Sequence, residues 1–139
     1  PVITQTAIGK RKSVTVFGSD YNTKDGTCVR DYIHVVDIAK AHIAAIERLV
    51  NKKNTEKYEV YNLGSGNGNT VLEVINTFEK ITGQKLNYNM GPRRSGDVEK
   101  VYADTTKANS FLNWKTELGL EEIVRSAWKW EKAINDESR

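Results

Sequence analysis

The chain has 139 residues, 38% of them hydrophobic, and its 21 basic and 18 acidic side chains give a net charge of +3. This length and composition predict one folded unit over residues 1–139 rather than a disordered chain. Intermixed charge excludes the clustered basic face of a nucleic-acid binder, and a single cysteine, Cys28, excludes an internal disulfide. No apolar run approaches the roughly 18 residues of a membrane helix, so we expect a cytoplasmic protein.

Strand and helix signals alternate through the first half of the sequence. Residues 1–12 carry a short apolar pattern that ends in a basic cluster, which is typical of the solvated end of a helix. Residues 13–17 alternate β-branched and polar side chains, and Val29–Val35 forms a second extended run. A helix follows with Asp37 as its expected N-cap, because apolar residues then recur at helical spacing.

The middle of the chain adds a third strand and a second helix. Residues 58–63 have the composition of a strand and run into a glycine-rich turn. The sequence Thr70-Val71-Leu72-Glu73 is a capping box, so a helix is expected to begin there. Gly83 follows the apolar stripe of this helix and predicts where it ends.

The last third supplies one more strand and two more helices. Residues 86–90 alternate with period two, and residues 93–100 have the charged composition of a loop. Asp104 is expected to cap a short helix that ends at Leu112, and residues 120–134 form a final amphipathic helix before a frayed tail. Strands that alternate with helices in this order predict an α/β fold.

One glycine-rich stretch comes close to a dinucleotide-binding fingerprint. Gly64, Gly66 and Gly68 follow a predicted strand and open a helix, but Asn69 stands where the third glycine of G-x-G-x-x-G is required. No acidic residue lies about twenty positions further on. The pattern therefore favours a tight turn, for which glycine is suited. None of the six tyrosines has a lysine four positions later, so the Tyr-x-x-x-Lys pair of short-chain dehydrogenases is absent.

Two segments combine arginine and aspartate in a way that suits an anionic ligand. Residues 29–37 contain Arg30, and residues 92–97 contain Arg94 and Asp97. The planar guanidinium group matches phosphate oxygens, and a carboxylate can accept hydrogen bonds from neighbouring hydroxyls. The alternative is two surface loops held by ion pairs, with Asp97 paired to Arg93.

Four stretches carry a family resemblance: FGSDYNTKDGTCVRDYIHVVDIA, YNLGSGNGNTVLEVI, PRRSGDVEKVYAD and LNWKTELGLEEIVRSAWKW. In this order and spacing, they resemble the UDP-glucose 4-epimerases (UDP-galactose 4-epimerases), which are extended short-chain dehydrogenases/reductases. The resemblance runs end to end but covers only the C-terminal part of the family's chain. It implies that the N-terminal Rossmann part, with the NAD-binding loop and the catalytic Tyr-Lys pair, is absent. A first residue other than Met agrees with this expectation.

The resemblance implies an α/β substrate-binding part of an enzyme with an NAD(P)-binding Rossmann fold. Family members hold NAD and interconvert UDP-glucose and UDP-galactose through a 4-keto sugar. The expected partner is thus a UDP-sugar, and the intact protein is expected to be a homodimer. The chain alone is expected to bind UDP-sugar without catalysis. Two alternatives remain: another sugar-nucleotide enzyme, such as a 4,6-dehydratase or a UDP-glucuronate decarboxylase, and a non-catalytic nucleotide-binding module.

The resemblance also implies roles for polar residues of the two anion-binding segments. Arg30 and Arg94 match the positions that contact the diphosphate. Asp97 matches the acceptor of the ribose hydroxyls. Tyr32 matches a residue that lines the nucleotide site.

Three further residues match contacts to the base, and one matches the sugar pocket. Thr15, Phe17 and Val71 resemble the uracil-contacting positions, although spacing alone would put Phe17 and Val71 in the core. Val101 stands where family members restricted to glucose and galactose have Tyr. A smaller side chain implies room for a 2-acetamido group, so UDP-N-acetylglucosamine and UDP-N-acetylgalactosamine are expected substrates too.

Overall fold

The computed structural model describes residues 1–136, and these contain five helices and five strands. The expectation for the tail concerns residues 137–139 as well, which lie outside this range. In chain order the elements are α1 (Val2–Ala7), β1 (Val14–Phe17), β2 (Val29–Arg30), α2 (Val35–Val50), β3 (Asn69–Thr70), α3 (Val71–Thr82), β4 (Tyr88–Gly91), β5 (Lys100–Val101), α4 (Thr106–Leu112) and α5 (Leu120–Asp136). Mixed helices and strands confirm the predicted α/β class.

The strands form two small sheets, each with a parallel pair. In the first, β1 runs parallel to β4, and Phe17 pairs with Gly91 at the end of the ladder. In the second, β2 lies between β3, which is antiparallel, and β5, which is parallel. Arg30 is therefore opposite Asn69 on one side and Val101 on the other. These two pairings hold the backbone of Arg30 within a ladder on both edges.

Helices α3 and α5 cover one face of the β1–β4 sheet and enclose the larger core cluster. Phe78 and Ile75 project from α3 and are at most 1% exposed. The ring of Phe78 meets that of Trp128 on α5 edge to face, with centroids 5.6 Å apart. The buried members of the cluster are Val14, Val16, Ile75, Phe78, Leu86 and Val124. Both helices are thus held by burial of one apolar stripe against the sheet.

A second cluster joins α2 to α4 through the loop that follows α4. Its buried members are Ala41, Ala108, Leu112 and Trp114. The Trp114 indole N–H donates to the carbonyl of Asp37 at 2.9 Å. The Asp37 carboxylate in turn accepts the amides of Glu117 and Leu118. One turn of α2 therefore fixes the loop between α4 and α5.

The predicted limits of α3 are confirmed, and the predicted start of α2 is wrong. Thr70 and Glu73 form the reciprocal capping box, and Gly83 ends α3 with a left-handed φ of 69°. Helix α2, by contrast, begins two residues before Asp37. His34 is its N-cap, and its Nδ1 accepts the amide of Val36 at 3.1 Å. Asp37 lies buried in the first turn because its carboxylate is used by distant amides.

Two smaller predictions also need correction. The extended run predicted over Val29–Val35 pairs as a strand only at Val29–Arg30, and the loop predicted over residues 93–100 ends in β5. Helix α4 has Thr105 rather than Asp104 at its N-cap position, although Asp104 Oδ1 accepts the amide of Thr106 at 3.0 Å. The hydrogen bond is thus accepted by Asp104, one residue before the N-cap residue Thr105.

The strand predicted over residues 58–63 is absent. A strand needs a hydrogen-bonded neighbour, and none pairs with this segment in the part of the chain that the structure describes. Tyr58 and Val60 are largely exposed as a result. Side-chain hydrogen bonds hold the segment instead. Arg48 makes a bidentate ion pair with Glu59, which also accepts a hydrogen bond from the Tyr61 hydroxyl.

Candidate nucleotide-binding site

Four of the residues predicted to bind a nucleotide meet at the ends of the strands. Phe17 is the last residue of β1, and Gly91 opposite it ends β4. The loop after β4 therefore starts beside Phe17 and carries Arg94 and Asp97. Because parallel strands end at the same edge of a sheet, this loop returns over the end of β1. Arg30 reaches the same place from the end of β2.

Arg94 is held over an aromatic ring by an ion pair. Its Nε and Nη2 donate to the two carboxylate oxygens of Asp97 at 2.8 and 3.2 Å. Its guanidinium carbon lies 4.6 Å from the centre of the Phe17 ring. The Arg94 side chain is still 58% exposed, so the group is accessible to a ligand.

Asp97 is the centre of the cluster because a second cation also reaches it. Arg30 Nη2 lies 3.4 Å from Asp97 Oδ1, while Arg30 Nη1 donates to the carbonyl of Val29. The Asp97 side chain is only 16% exposed. The hydrogen bond from Arg94, together with the charges of both arginines, lowers the pKa of Asp97 below its usual value, against the effect of burial. The carboxylate is therefore charged at neutral pH, with two guanidinium groups around it.

Arg93 takes no part in this cluster, so the alternative in which it pairs with Asp97 is wrong. Its guanidinium donates to the side chain and carbonyl of Asp20 and stacks 4.0 Å from the ring centre of Tyr21. Gly18 allows this close stacking: a Cβ there would lie 2.3 Å from the Tyr21 ring. Arg93 thus fastens the loop to the turn after β1 and leaves Arg94 beside Asp97.

Val101 and Arg30 line a cavity of about 660 Å³. The two residues are ladder partners, and Val101 is 48% exposed. Asp31, residues 61–63 and residues 102–104 complete the walls.

The remaining predicted residues lie around the cluster or in the core. Thr15 is exposed on the same face of β1 as Phe17, since side chains two apart share a face. Tyr32 is partly buried, and burial raises the pKa of its phenol above the usual value. Val71 packs against the larger core cluster, which is the position that its spacing alone predicts.

The glycine-rich loop does not fit a dinucleotide phosphate. Such a site requires free backbone N–H groups, but the amides of Ser65 and Gly66 both donate to the carboxylate of Asp31. A negative charge already occupies the position where phosphate would bind. The tight-turn interpretation of this loop agrees with these contacts. Asp31 is not among the site residues predicted from the sequence, although it directly follows one of them, Arg30.

A second groove of about 680 Å³ lies between α2 and α4, and two of the four cationic side chains that line it are already paired. Arg48 is bound to Glu59 and stacks on Phe111, and Lys40 is bound to Glu117. The described residues contain no cluster of three possible metal ligands. Within residues 1–136, no helix is long and apolar enough to cross a membrane.

Comparison with known proteins agrees with a sugar-nucleotide enzyme. The family model described as GDP-mannose 4,6 dehydratase matches residues 1–127, and the chain belongs to this family. Among curated relatives, it is 54% identical over 130 residues to UDP-glucose 4-epimerase 2 of Arabidopsis thaliana. This match covers 94% of the chain but 37% of the relative, so the chain spans less than two fifths of the relative's length.

Solved structures agree with the same class. The UDP-glucose 4-epimerase of Stenotrophomonas maltophila, with bound NAD and formylated UDP-arabinopyranose, superposes with a TM-score of 0.91 at 42% identity. The match covers 96% of this chain and 39% of that one. The Bifidobacterium longum enzyme in complex with NAD+ and UDP gives 0.85 at 46% identity, over 94% and 38% of the two chains. The resemblance to the C-terminal part of UDP-glucose 4-epimerases is confirmed.

Proposed function

We propose that this chain supplies the UDP-sugar-binding part of an NAD-dependent UDP-glucose 4-epimerase, which interconverts UDP-glucose and UDP-galactose. The observation that carries the proposal is the convergence of Arg30 and Arg94 on one carboxylate, beside the half-buried ring of Phe17. The sequence has no Tyr-x-x-x-Lys pair, and its glycine loop is filled by Asp31. We therefore expect these residues to supply neither the NAD site nor the catalytic base, and the chain alone to be inactive.

Each residue of the cluster has a chemical role in this proposal. The guanidinium groups of Arg30 and Arg94 bind the diphosphate, because their planar donors match phosphate oxygens. Asp97 is charged and accepts hydrogen bonds from the ribose hydroxyls. The uracil ring lies against Phe17, with Thr15 beside it and Val71 at the start of α3, and Tyr32 closes the site. The contacts of Thr15, Phe17, Val71 and Tyr32 with the ligand are proposed.

Val101 extends the proposal to N-acetylated sugars. Its side chain lines the 660 Å³ cavity beside Arg30, and a tyrosine at this position would fill part of that space. We expect the intact enzyme to convert UDP-N-acetylglucosamine to UDP-N-acetylgalactosamine as well. Val101→Tyr should abolish this activity and retain conversion of UDP-glucose. Loss of both activities, or retention of both, would contradict the role of residue 101.

Calorimetry with UDP tests the proposed site in the chain itself. Arg94→Ala should weaken UDP binding about tenfold to a hundredfold, because hydrogen bonds between charged groups contribute roughly 1.5–3 kcal/mol. Arg125→Ala is the matched control, since Arg125 is 54% exposed and also pairs with an acidic residue three positions away. Equal UDP affinities of Arg94→Ala and Arg125→Ala would contradict the phosphate role.

A second candidate is a sugar-nucleotide dehydratase, which the description of the matching family model favours. The nucleotide base discriminates the two. Binding of UDP in preference to GDP supports the epimerase, whereas a preference for GDP supports the dehydratase. A UDP-glucuronate decarboxylase would share the preference for UDP, so product analysis of the whole enzyme with UDP-glucose and UDP-glucuronate separates that case. Failure of the chain to bind either nucleotide would contradict both enzyme candidates and the nucleotide-binding module. For the whole protein, we propose a cytoplasmic homodimer.

A further inference from the structure

Asp31, which directly follows Arg30, is the most heavily hydrogen-bonded carboxylate near the proposed site. Its Oδ1 accepts the amide and hydroxyl of Ser65 at 2.9 and 2.6 Å. Its Oδ2 accepts the amides of Gly66 and Ala103 at 3.2 and 3.1 Å. Burial acts to raise the pKa of Asp31, but these hydrogen bonds more than offset it and lower the pKa below its usual value. The group is therefore an anion at neutral pH.

These four donors leave Asp31 no free capacity to bind a sugar directly. A carboxylate has about four acceptor positions on its two oxygens, and each oxygen here already accepts two hydrogen bonds. The donors belong to two segments far apart in sequence, which are the glycine-rich loop and the residues after β5. Asp31 thus acts on the arrangement of these segments rather than on a ligand.

Asp31, the residues after β5, and residues 61–63 all line the cavity that contains Arg30 and Val101. Residues 61–63 are joined to Ser65 through Gly64, and Ala103 follows Val101 by two positions. Residues 61–63 form no ladder with a described strand. Tyr61 and Leu63 pack against the second core cluster, and the bonds of Asp31 to Ser65 and Gly66 on one side and to Ala103 on the other link this segment to the residues after β5.

From the packing around Asp31, we expect that neither Asn nor Glu can fill its role. An Asn side chain would put its NH₂ group against backbone N–H donors, so at least one pair of donors would face each other. A Glu side chain would need space that is absent, because a Cβ added to Gly64 would already lie 2.3 Å from Asp31 Oδ2.

We propose that Asp31 is a positioning residue that fixes the sugar-facing wall of the UDP-sugar site. This inference rests on the proposed function and refines it. Arg30 is held by its ladders with β3 and β5, and Arg94 and Asp97 lie on a separate loop. Loss of Asp31 should therefore displace the wall that the sugar meets and leave the groups that bind UDP in place.

The test is calorimetry on the chain with three probes: UDP, UDP-glucose and UDP-N-acetylglucosamine. Asp31→Asn should change the ratio of the Kd for each UDP-sugar to the Kd for UDP by at least about fivefold, while the Kd for UDP itself changes less than about twofold. Ser65→Ala removes one of the four donors and should shift the ratio in the same direction by a smaller factor. It provides the test if Asp31→Asn fails to fold.

Asp25→Asn is the matched control, since Asp25 also accepts three hydrogen bonds, from Thr27 and Thr70, but does not line the cavity. It should leave the ratio unchanged. Equal weakening of UDP and both UDP-sugars by Asp31→Asn, or an equal shift of the ratio by Asp25→Asn, would overturn the inference while the UDP site stands. A parent chain that binds no UDP would overturn the proposed function, and this inference with it.

Discussion

Gly64→Ala should destabilise the chain strongly, because the added methyl group meets atoms that cannot easily move. Its Cβ would lie 2.3 Å from Asp31 Oδ2 and 2.7 Å from the Cβ of Ala103. The first distance is more than 1 Å short of the 3.4 Å at which ordinary contact begins. Neither neighbour is the end of a flexible side chain, since Asp31 Oδ2 is held by the amides of Gly66 and Ala103.

The magnitude follows from two effects. An extra methyl group in a filled interior costs about 1–3 kcal/mol. Displacement of Asp31 Oδ2 also weakens two hydrogen bonds to a charged acceptor, which adds about 1 kcal/mol or more. We therefore expect Gly64→Ala to lower the free energy of unfolding by about 2–4 kcal/mol.

Urea unfolding followed by circular dichroism measures this loss. The midpoint should fall by about 1 M or more, with an unchanged slope. Gly119→Ala is the control, because a Cβ there meets nothing within 4 Å and should change the stability by less than about 0.5 kcal/mol. A Gly64→Ala chain as stable as Gly119→Ala would refute the close contact between residue 64 and Asp31.

Two further predictions concern the helices. Glu131 is buried on α5 and accepts a hydrogen bond from Lys10, which lowers the pKa of the Glu131 carboxyl below 4.5. The ionised carboxylate therefore stabilises the fold above pH 4.5, and this stabilisation is lost as the pH falls through the pKa of Glu131 in the folded chain. The difference in melting temperature between the parent and Glu131→Gln should accordingly shrink from neutral pH to about pH 3, and a constant difference would contradict this. Thr70→Ala removes the cap of α3 and should cost about 1–2 kcal/mol in urea unfolding, whereas Thr82→Ala near its other end should cost less than about 0.5 kcal/mol. Similar losses for both would argue against the capping role of Thr70.

Helix limits were predictable where the capping partners are close in sequence. Thr70 and Glu73 are three residues apart and need no other part of the chain to form their box. The start of α2 was predicted wrongly because two residues, His34 and Asp37, are both able to cap the helix. His34 takes the cap, while the Asp37 carboxylate accepts amides about eighty residues away, at Glu117 and Leu118. No local pattern contains that information.

The strand expected over residues 58–63 shows a different limit. Alternating β-branched and aromatic side chains describe a segment that suits a sheet, but pairing depends on a neighbour that lies elsewhere. Among the described residues, no such neighbour is present, so the preference is unused and Tyr58 stays exposed. Strand propensity predicted that the composition of this segment suits a strand, but it did not predict whether the segment pairs in a sheet.

The members of the candidate site were predictable, whereas their pairing was not. Arg93 and Arg94 lie four and three residues before Asp97, and the bond of Arg93 to the distant Asp20 leaves Arg94 as the partner of Asp97. The bonds of Asp31 also span 34 to 72 residues. These contacts depend on how separate loops meet, which spacing alone does not give.

The ion pair between Arg94 and Asp97 also has a thermodynamic consequence. Any anion that binds Arg94 has to exchange with a carboxylate that already neutralises it, so complex formation replaces one charge contact by another. The net change in ion pairing is then small, and the affinity should depend on ionic strength less steeply than two phosphate–arginine contacts would suggest. When the nucleotide leaves, the Asp97 carboxylate pairs with Arg94 again, and this favours rapid release of the nucleotide.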